Sequence, residues 1–186
     1  MAGSGATKRD RRSTLRARRR SLADRRDPAA DDQALADITH GLIESLGLRA
    51  GDTVTLYESL PVEPPTGATT DVLLAAGMRV IVPITLADLD LDWADVEDPS
   101  RAPLGKEAIG SARLALIPGL AVDHTGTRMG QGGGCYDRAL PRRARGTPVV
   151  VLLHPEEFAP EPLPREDHDI PVDGVLTAEA LTWIER

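Results

Sequence analysis

The sequence predicts a single-domain α/β protein, a three-layer sandwich with a mostly parallel central sheet. Helical and extended patterns alternate along the chain, which is typical of such a sheet. The 186 residues, 41% of them hydrophobic, are enough to form one compact core. The continuous β-branched run at 147–153 indicates a central strand covered on both faces. We therefore divide the chain into a flexible N-terminus (1–6) and one domain (7–186) that begins with a basic helix.

Four segments have helical patterns. Residues 7–26 predict a basic helix whose large apolar residues are Leu15 and Leu22. A second helix begins at 28–32 and repeats apolar residues at helical spacing up to Leu46. A third, short helix begins at Thr70 or Asp71 and reaches Ala75. The last helix is expected at 178–185, with Thr177 as its N-cap.

Six segments have extended patterns. Pro83 is expected to end the second strand, and the alternation of Leu89, Leu91 and Trp93 predicts an edge strand with one buried face. The predicted strands are 54–57, 79–83, 89–93, 114–117, 147–153 and 172–176.

The stretch from Leu116 to Arg138 contains most of the chemically informative residues. A strand ends at Pro118-Gly119, and Arg128 then precedes a run rich in glycine at 130–134. Glycines allow backbone N–H groups to converge on an anion, and a helix that starts behind them would add further donors. On glycine count alone a flexible surface turn is an equal interpretation. The flanking Arg, Tyr and Asp favour a phosphate site.

Charge is distributed unevenly along the chain. Residues 1–26 contain ten Lys or Arg and two Asp, whereas the whole chain has a net charge of −7. A basic head of this kind is compatible with a solvated helix, with an anion site or with an arm that binds nucleic acid. No aromatic residue lies between its cations to stack on bases, which weighs against nucleic acid.

The same central stretch resembles the signature of the 5-formyltetrahydrofolate cyclo-ligase family, also called 5,10-methenyltetrahydrofolate synthetases. The similarity consists of Pro118-Gly119-Leu120-Ala121-Val122-Asp123 followed by Gly126-Thr127-Arg128-Met129-Gly130-Gln131-Gly132-Gly133-Gly134-Cys135-Tyr136-Asp137. Weaker motifs extend the resemblance over nearly the whole chain. It implies an enzyme that uses ATP and Mg²⁺ to convert 5-formyltetrahydrofolate to 5,10-methenyltetrahydrofolate, releasing ADP and phosphate.

The resemblance also implies residue roles. Catalytic roles fall on Arg128, Gln131 and Tyr136, and the magnesium ligands would be Asp137 and Asp169. The nucleotide-binding residues would be Lys8, Arg12, Arg128, Met129, Gly130, Gln131, Gly132, Gly133, Gly134, Cys135 and Tyr136. The folate-binding residues would be Glu63, Gln131, Gly134, Cys135 and Tyr136, and Glu63 with Thr66 matches the Glu-x-x-Thr pattern of the family. Glu58 is added as a folate-binding residue because it lies in the same Pro-rich loop as Glu63, not because of the resemblance.

Two positions depart from the family pattern. Many members have Arg where Gln131 stands, close to the transferred phosphate, and an aromatic residue where Cys135 stands. The first change removes a charge and the second removes a stacking surface. Slower turnover or an altered folate preference is the resulting hypothesis.

The sequence also predicts the setting of the protein. We expect a cytoplasmic monomer that acts on a small-molecule folate, with no membrane partner and no nucleic acid, and a single cysteine agrees with a reducing compartment. A second hypothesis is a non-catalytic relative of the same fold that binds a nucleotide or RNA in a regulatory role. A third is an enzyme that uses a sugar phosphate or CoA on a similar fold, since fold alone does not determine function.

Overall fold

The computed structural model describes residues 7–159, 161–166 and 169–185. The predicted flexible N-terminus, 1–6, lies outside the described residues, as do residues 167 and 168 of the acidic loop. Of the helices, α1 spans Lys8–Ala23, α2 Pro28–Ser45, α3 Gly67–Ala75 and α4 Cys135–Ala139.

The first two helices begin where side chains satisfy unpaired N–H groups. Thr7 and Asp10 form a reciprocal capping box at the start of α1. Asp27 accepts hydrogen bonds from the N–H groups of Ala29 and Ala30 at the start of α2, where Pro28 occupies the first helical position. Both predicted helices are confirmed.

The described residues contain ten strands in two sheets. In chain order they are β1 Thr53–Thr55, β2 Arg79–Thr85, β3 Leu91–Asp95, β4 Ala112–Pro118, β5 Ala121–Asp123, β6 Arg128–Met129, β7 Val149–Leu152, β8 Phe158–Ala159, β9 Gly174–Leu176 and β10 Leu181–Trp183. The main sheet has the order β10-β9-β7-β4-β1-β2-β3, and β5, β6 and β8 form the small sheet. The inner strands of the main sheet are parallel, and the edge strands β3 and β10 are antiparallel to their neighbours.

The main sheet is covered on both faces, as the three-layer prediction requires. On one face Leu35 and Leu42 of α2 and Leu73 of α3 pack against β1, β4 and β7. On the other face Trp93 and Leu140 belong to a second buried cluster. The predicted fold class is confirmed.

The C-terminal segment differs from the prediction. Instead of a helix at 178–185, the chain reverses after β9 and returns as β10. Thr177 Oγ1 accepts hydrogen bonds from the N–H groups of Glu179 and Ala180, so it closes a turn rather than capping a helix. Trp183 then packs over Gly174, where a Cβ would lie 3.1 Å from the indole ring. Pairing with β9 and the contact of Trp183 with Gly174 stabilise the strand, whereas a short helix is marginal in water without packing of its own.

Two smaller predictions for strands are also corrected. Pro83 does not end β2, because β1 pairs with β2 only as far as Ile81 and the missing N–H breaks no bond to β1. Leu89 precedes β3 and adopts a left-handed conformation with a φ of 63°. The small sheet was not predicted, because its strands are only two or three residues long.

Candidate functional site

One groove opens at the carboxyl ends of the parallel strands. Its volume is about 720 Å³, and Tyr57 after β1 and Gly119 after β4 both line it. These neighbouring strands lead to crossovers in opposite directions, which is where α/β sheets form binding crevices. All the predicted site residues line this groove: Lys8, Arg12, Glu58, Glu63, Arg128, Met129, Gly130, Gln131, Gly132, Gly133, Gly134, Cys135, Tyr136, Asp137 and Asp169.

Helix α1 supplies one wall of the groove. Leu15 anchors the helix by packing with Met129 of β6 and with Leu120, which directly precedes β5. At its first turn Lys8 Nζ forms an ion pair with Asp169 Oδ2 at 2.7 Å. The resemblance assigned these two residues to different ligands, yet here they neutralise each other.

The glycine run (residues 130–134) forms the adjacent wall. Gly132 has a φ of 111° and Gly134 a φ of 67°, conformations that a residue with a Cβ adopts only with strain. The run ends directly at α4, which is only five residues long and continues as a 3₁₀ turn. The prediction of a helix behind the run is confirmed, but that helix is short.

Arg128 joins the glycine run to the floor of the groove. Its Nη2 donates to Asp137 Oδ1 at 3.0 Å, and its guanidinium carbon lies 5.7 Å from the centre of the Tyr136 ring. Within the described part of the chain, Arg128 Nε and the Tyr136 hydroxyl are buried without a hydrogen-bond partner. Buried polar atoms without a partner in the chain commonly bind water, an ion or a ligand, and these two atoms belong to residues that line the groove.

Two tyrosines and a glutamate form the floor. Burial raises the pKa of the Tyr136 hydroxyl, against an opposing effect of Arg128, and Glu63 raises it further. Burial also raises the pKa of the Tyr57 hydroxyl, again with Glu63 as a contributor. Both phenols therefore stay protonated at neutral pH and can donate hydrogen bonds. Tyr57 was not predicted, although its position directly after a strand on this edge was a usable signal.

Arg19 is the main residue that the sequence reasoning missed. Its side chain is 2% exposed, and its Nε and Nη2 donate to both carboxylate oxygens of Glu157 at 2.6 Å each. The same Nη2 donates to the carbonyl oxygen of Gly119, and Nη1 lies 3.9 Å from Glu63 Oε1. Arg19 thus links α1 to both sides of the groove.

A signal for Arg19 was present in the sequence. Leu15, Arg19 and Leu22 are spaced i, i+4 and i+7, so Arg19 lies on the apolar stripe by which α1 docks. A cation on such a stripe must be paired when the helix packs. What the sequence does not reveal is the partner, since Glu157 lies 138 positions away.

The two departures from the family pattern have local consequences. Gln131 is exposed, and its Oε1 accepts a hydrogen bond from Arg16 Nε at 2.9 Å. A guanidinium group therefore lies beside the glycine run although residue 131 itself carries no charge. Cys135 is half-buried and free, and it lies next to Gly133. The predicted rim residue Glu58 forms an exposed ion pair with Arg101 at 2.7 Å.

The groove offers two carboxylates that could share a magnesium ion with phosphate oxygens and water. Among the described residues, no three side chains of His, Cys, Asp or Glu form a metal-binding group. Magnesium commonly binds one or two carboxylates and completes its shell with phosphate oxygens and water. Asp137 and Asp169 fit that requirement, because both line the groove beside the glycine run.

Fold and groove together define an α/β protein with a glycine-rich loop in a groove at the carboxyl edge of its sheet. A family model described as the 5-formyltetrahydrofolate cyclo-ligase family matches residues 4–178, and the chain belongs to that family. It is 33% identical over 183 residues to a 5-formyltetrahydrofolate cyclo-ligase of Mycolicibacterium smegmatis, covering 89% of this chain and 91% of the relative. The Escherichia coli K12 enzyme of the same name is 27% identical over 141 residues, covering 67% and 77%.

Solved structures agree on the fold. A 5,10-methenyltetrahydrofolate synthetase from Mycoplasma pneumoniae superposes with a TM-score of 0.74 at 17% identity, covering 90% of this chain and 99% of that one. The Aquifex aeolicus synthetase gives 0.70 at 22% identity, covering 94% and 93%. No helix among the described residues combines the length and apolar character needed to cross a membrane.

Proposed function

We propose that this groove converts 5-formyltetrahydrofolate to 5,10-methenyltetrahydrofolate at the expense of ATP. One observation carries the proposal. The glycine run, whose N–H groups suit phosphate, shares a groove with the buried Glu63 and with the Tyr136 hydroxyl, which has no hydrogen-bond partner among the described residues. Membership of the cyclo-ligase family supports the same reaction. The groove thus offers an anion-binding wall and a floor with a carboxylate and two phenols.

The chemistry requires an activated formyl oxygen. The formyl oxygen attacks the γ-phosphorus of ATP, and ADP leaves. N10 then attacks the formyl carbon and loses its proton to solvent, and the carbon–oxygen bond breaks to release phosphate with the former formyl oxygen. Phosphoryl transfer of this kind depends mainly on positioning and on stabilising negative charge.

The phosphates would be bound by the glycine run and its neighbours. Residues 130–134 supply backbone donors, and Lys8, Arg12 and Arg128 supply positive charge. Lys8 and Arg128 are paired with carboxylates, so binding the nucleotide requires each cation to exchange a carboxylate for phosphate. Met129 lies in the same wall.

Magnesium would be held by Asp137 and Asp169 together with phosphate oxygens. When bound, it would neutralise charge on the transferred phosphoryl group. The chain's own part is to present the two carboxylates on the groove wall, where Arg128 and Lys8 pair with them until phosphate takes their place.

The folate would lie against the floor. Glu63 accepts a hydrogen bond from the N–H of Leu60 at 3.1 Å, which fixes its carboxylate beside Tyr136. The protonated Tyr136 hydroxyl would donate to a folate oxygen or nitrogen. Glu58, Gln131, Gly134 and Cys135 would complete the folate side of the groove.

Absorbance in the methenyltetrahydrofolate band tests the proposal. Purified protein with 5-formyltetrahydrofolate, Mg²⁺ and ATP should give a rise that needs ATP, and Asp137→Asn should reduce the rate at least about tenfold. Asp71→Asn, an exposed aspartate of α3 outside the groove lining, is the matched control and should retain the wild-type rate. Failure of the wild-type protein to produce the band would refute the proposed reaction.

The setting of the protein remains a proposal as well. We infer a cytoplasmic monomer without nucleic acid. In support, Lys8, Arg12, Arg16 and Arg19 of α1 all bind groups of the chain itself. Light scattering of the purified protein tests the monomer, and a filter-binding series with RNA across salt concentrations tests the regulatory alternative.

A further inference from the structure

The glycine run is surrounded by guanidinium groups that bind its carbonyl oxygens. Arg12 Nε donates to the carbonyl of Gly130 at 3.2 Å, and Arg16 Nη2 donates to the carbonyl of Gln131. On the other side Arg138 Nη1 donates to the carbonyl of Gly133 at 2.6 Å. Three arginines from α1 and α4 therefore hold three carbonyl groups of one short loop.

The N–H groups of the same loop, unlike its carbonyl groups, are not hydrogen-bonded to the described part of the chain. Within the described residues, no hydrogen bond runs from the N–H groups of residues 130–134 to any other group of the chain. In a trans peptide the C=O and the following N–H point in opposite directions. Holding a carbonyl on the arginine side therefore turns the next N–H away from that arginine.

The contrast between bonded carbonyl groups and unbonded N–H groups matters for the binding of an anion. A carbonyl oxygen that pointed into the groove would repel phosphate oxygens, whereas an N–H attracts them. Since residues 130–134 are at most half-buried and include glycines that rotate freely, the loop needs an outside constraint to keep one orientation. Charge-assisted hydrogen bonds are the strongest constraint available to a carbonyl.

We propose that Arg16 and Arg138 are positioning residues that orient the glycine run for phosphate. The inference rests on the proposed function only in taking ATP as the phosphate ligand. Arg16 is the clearer case, because it lies outside the residues that line the groove and makes two hydrogen bonds to Gln131, through Oε1 and the backbone carbonyl. Arg138 lines the groove, but its Nη1 donates to the carbonyl oxygen of Gly133.

Calorimetry with a non-hydrolysable ATP analogue and Mg²⁺ tests the proposal on the full chain. Arg16→Gln and Arg138→Gln should each weaken nucleotide binding about tenfold, while the KM for 5-formyltetrahydrofolate stays within about twofold of wild type. Arg16→Lys should recover part of the loss, since an ammonium can still bind one carbonyl. Arg18→Gln removes the same charge from an exposed position of α1 and is the matched control.

Two results would overturn the inference. One is nucleotide affinity for Arg16→Gln equal to that for Arg18→Gln, which would mean that only net charge matters. The other is an equal loss of affinity for nucleotide and folate, which would indicate general damage to the groove. If the wild-type protein binds the analogue but forms no methenyltetrahydrofolate, the proposed reaction fails while the affinities still decide the role of the two arginines.

Discussion

Replacing Arg19 with methionine would test how α1 is held against the groove. Methionine keeps the aliphatic volume but leaves Glu157, itself 2% exposed, without its bidentate partner. The unpaired Glu157 carboxylate would also be exposed to repulsion from Glu63, whose carboxylate lies near the Arg19 guanidinium in the wild-type protein. Removing one member of a buried ion pair costs about 3–5 kcal/mol. For a chain of this size that corresponds to a fall in melting temperature of about 6–20 °C.

Urea unfolding followed by far-ultraviolet circular dichroism measures this cost. The double variant Arg19→Met/Glu157→Gln removes both charges while a side-chain oxygen remains to accept from the N–H of His154, so it should recover to within about 2 kcal/mol of wild type. Arg79→Met breaks the exposed pair with Asp95 and should cost no more than about 1 kcal/mol. A loss for Arg19→Met as small as that for Arg79→Met, or a double variant no more stable than the single, would refute the reasoning.

Three further predictions concern the groove and its frame. Tyr136→Phe should leave the melting temperature within about 2 °C of wild type, because its hydroxyl has no partner among the described residues, but should lower kcat/KM for the folate about tenfold; unchanged kinetics would contradict a contact with substrate. Lys8→Gln should weaken MgATP binding about tenfold and reduce the salt dependence of that binding, measured by calorimetry at two salt concentrations. Affinities equal to those of the wild type at both salt concentrations would exclude Lys8 from the phosphate site. Asp123→Asn should reduce the loss of stability at acid pH, measured as the urea midpoint at a series of pH values. A pH dependence parallel to that of the wild type would contradict the lowered pKa of Asp123.

The sign of the Asp123 effect follows from its surroundings. Burial raises the pKa of this carboxyl, but hydrogen bonds from the N–H groups of Leu163, Thr125 and Thr127 and from the Thr125 hydroxyl bring it below its ordinary value. A folded-state pKa below the unfolded one contributes stability that is complete above about pH 4 and is lost as the pH falls through the folded value. The wild-type protein should therefore lose stability more steeply than Asp123→Asn in that acid window.

Where local pattern and packing agree, the sequence was a sufficient guide. Helix α2 has a cap, a proline at its first position and a regular apolar stripe, and strand β7 is a continuous β-branched run, so both were predicted close to their observed bounds. The candidate site residues were predicted mainly from the family motif, and they line one groove because parallel strands end at one edge of the sheet.

Where contacts between distant parts of the chain decide, the sequence was insufficient. Strand β10 pairs with β9, and Trp183 packs over Gly174 there. The local sequence pattern at 178–185 does not reveal this contact. The small sheet forms because β5 pairs with β8, which lies far along the chain. Arg16 looked like one of several solvated cations, and only the approach of α1 to the glycine run gives it a partner.

Transfer of an oxygen label tests the central claim most directly. The protein would be supplied with 5-formyltetrahydrofolate carrying oxygen-18 in the formyl group, together with Mg²⁺ and ATP, and the released phosphate would be analysed by mass spectrometry. Because the formyl oxygen becomes bonded to the γ-phosphorus, each inorganic phosphate should contain one labelled oxygen, in proportion to the methenyltetrahydrofolate formed. Unlabelled phosphate, with the label in water, would contradict a phosphorylated formyl group and with it our account of the groove.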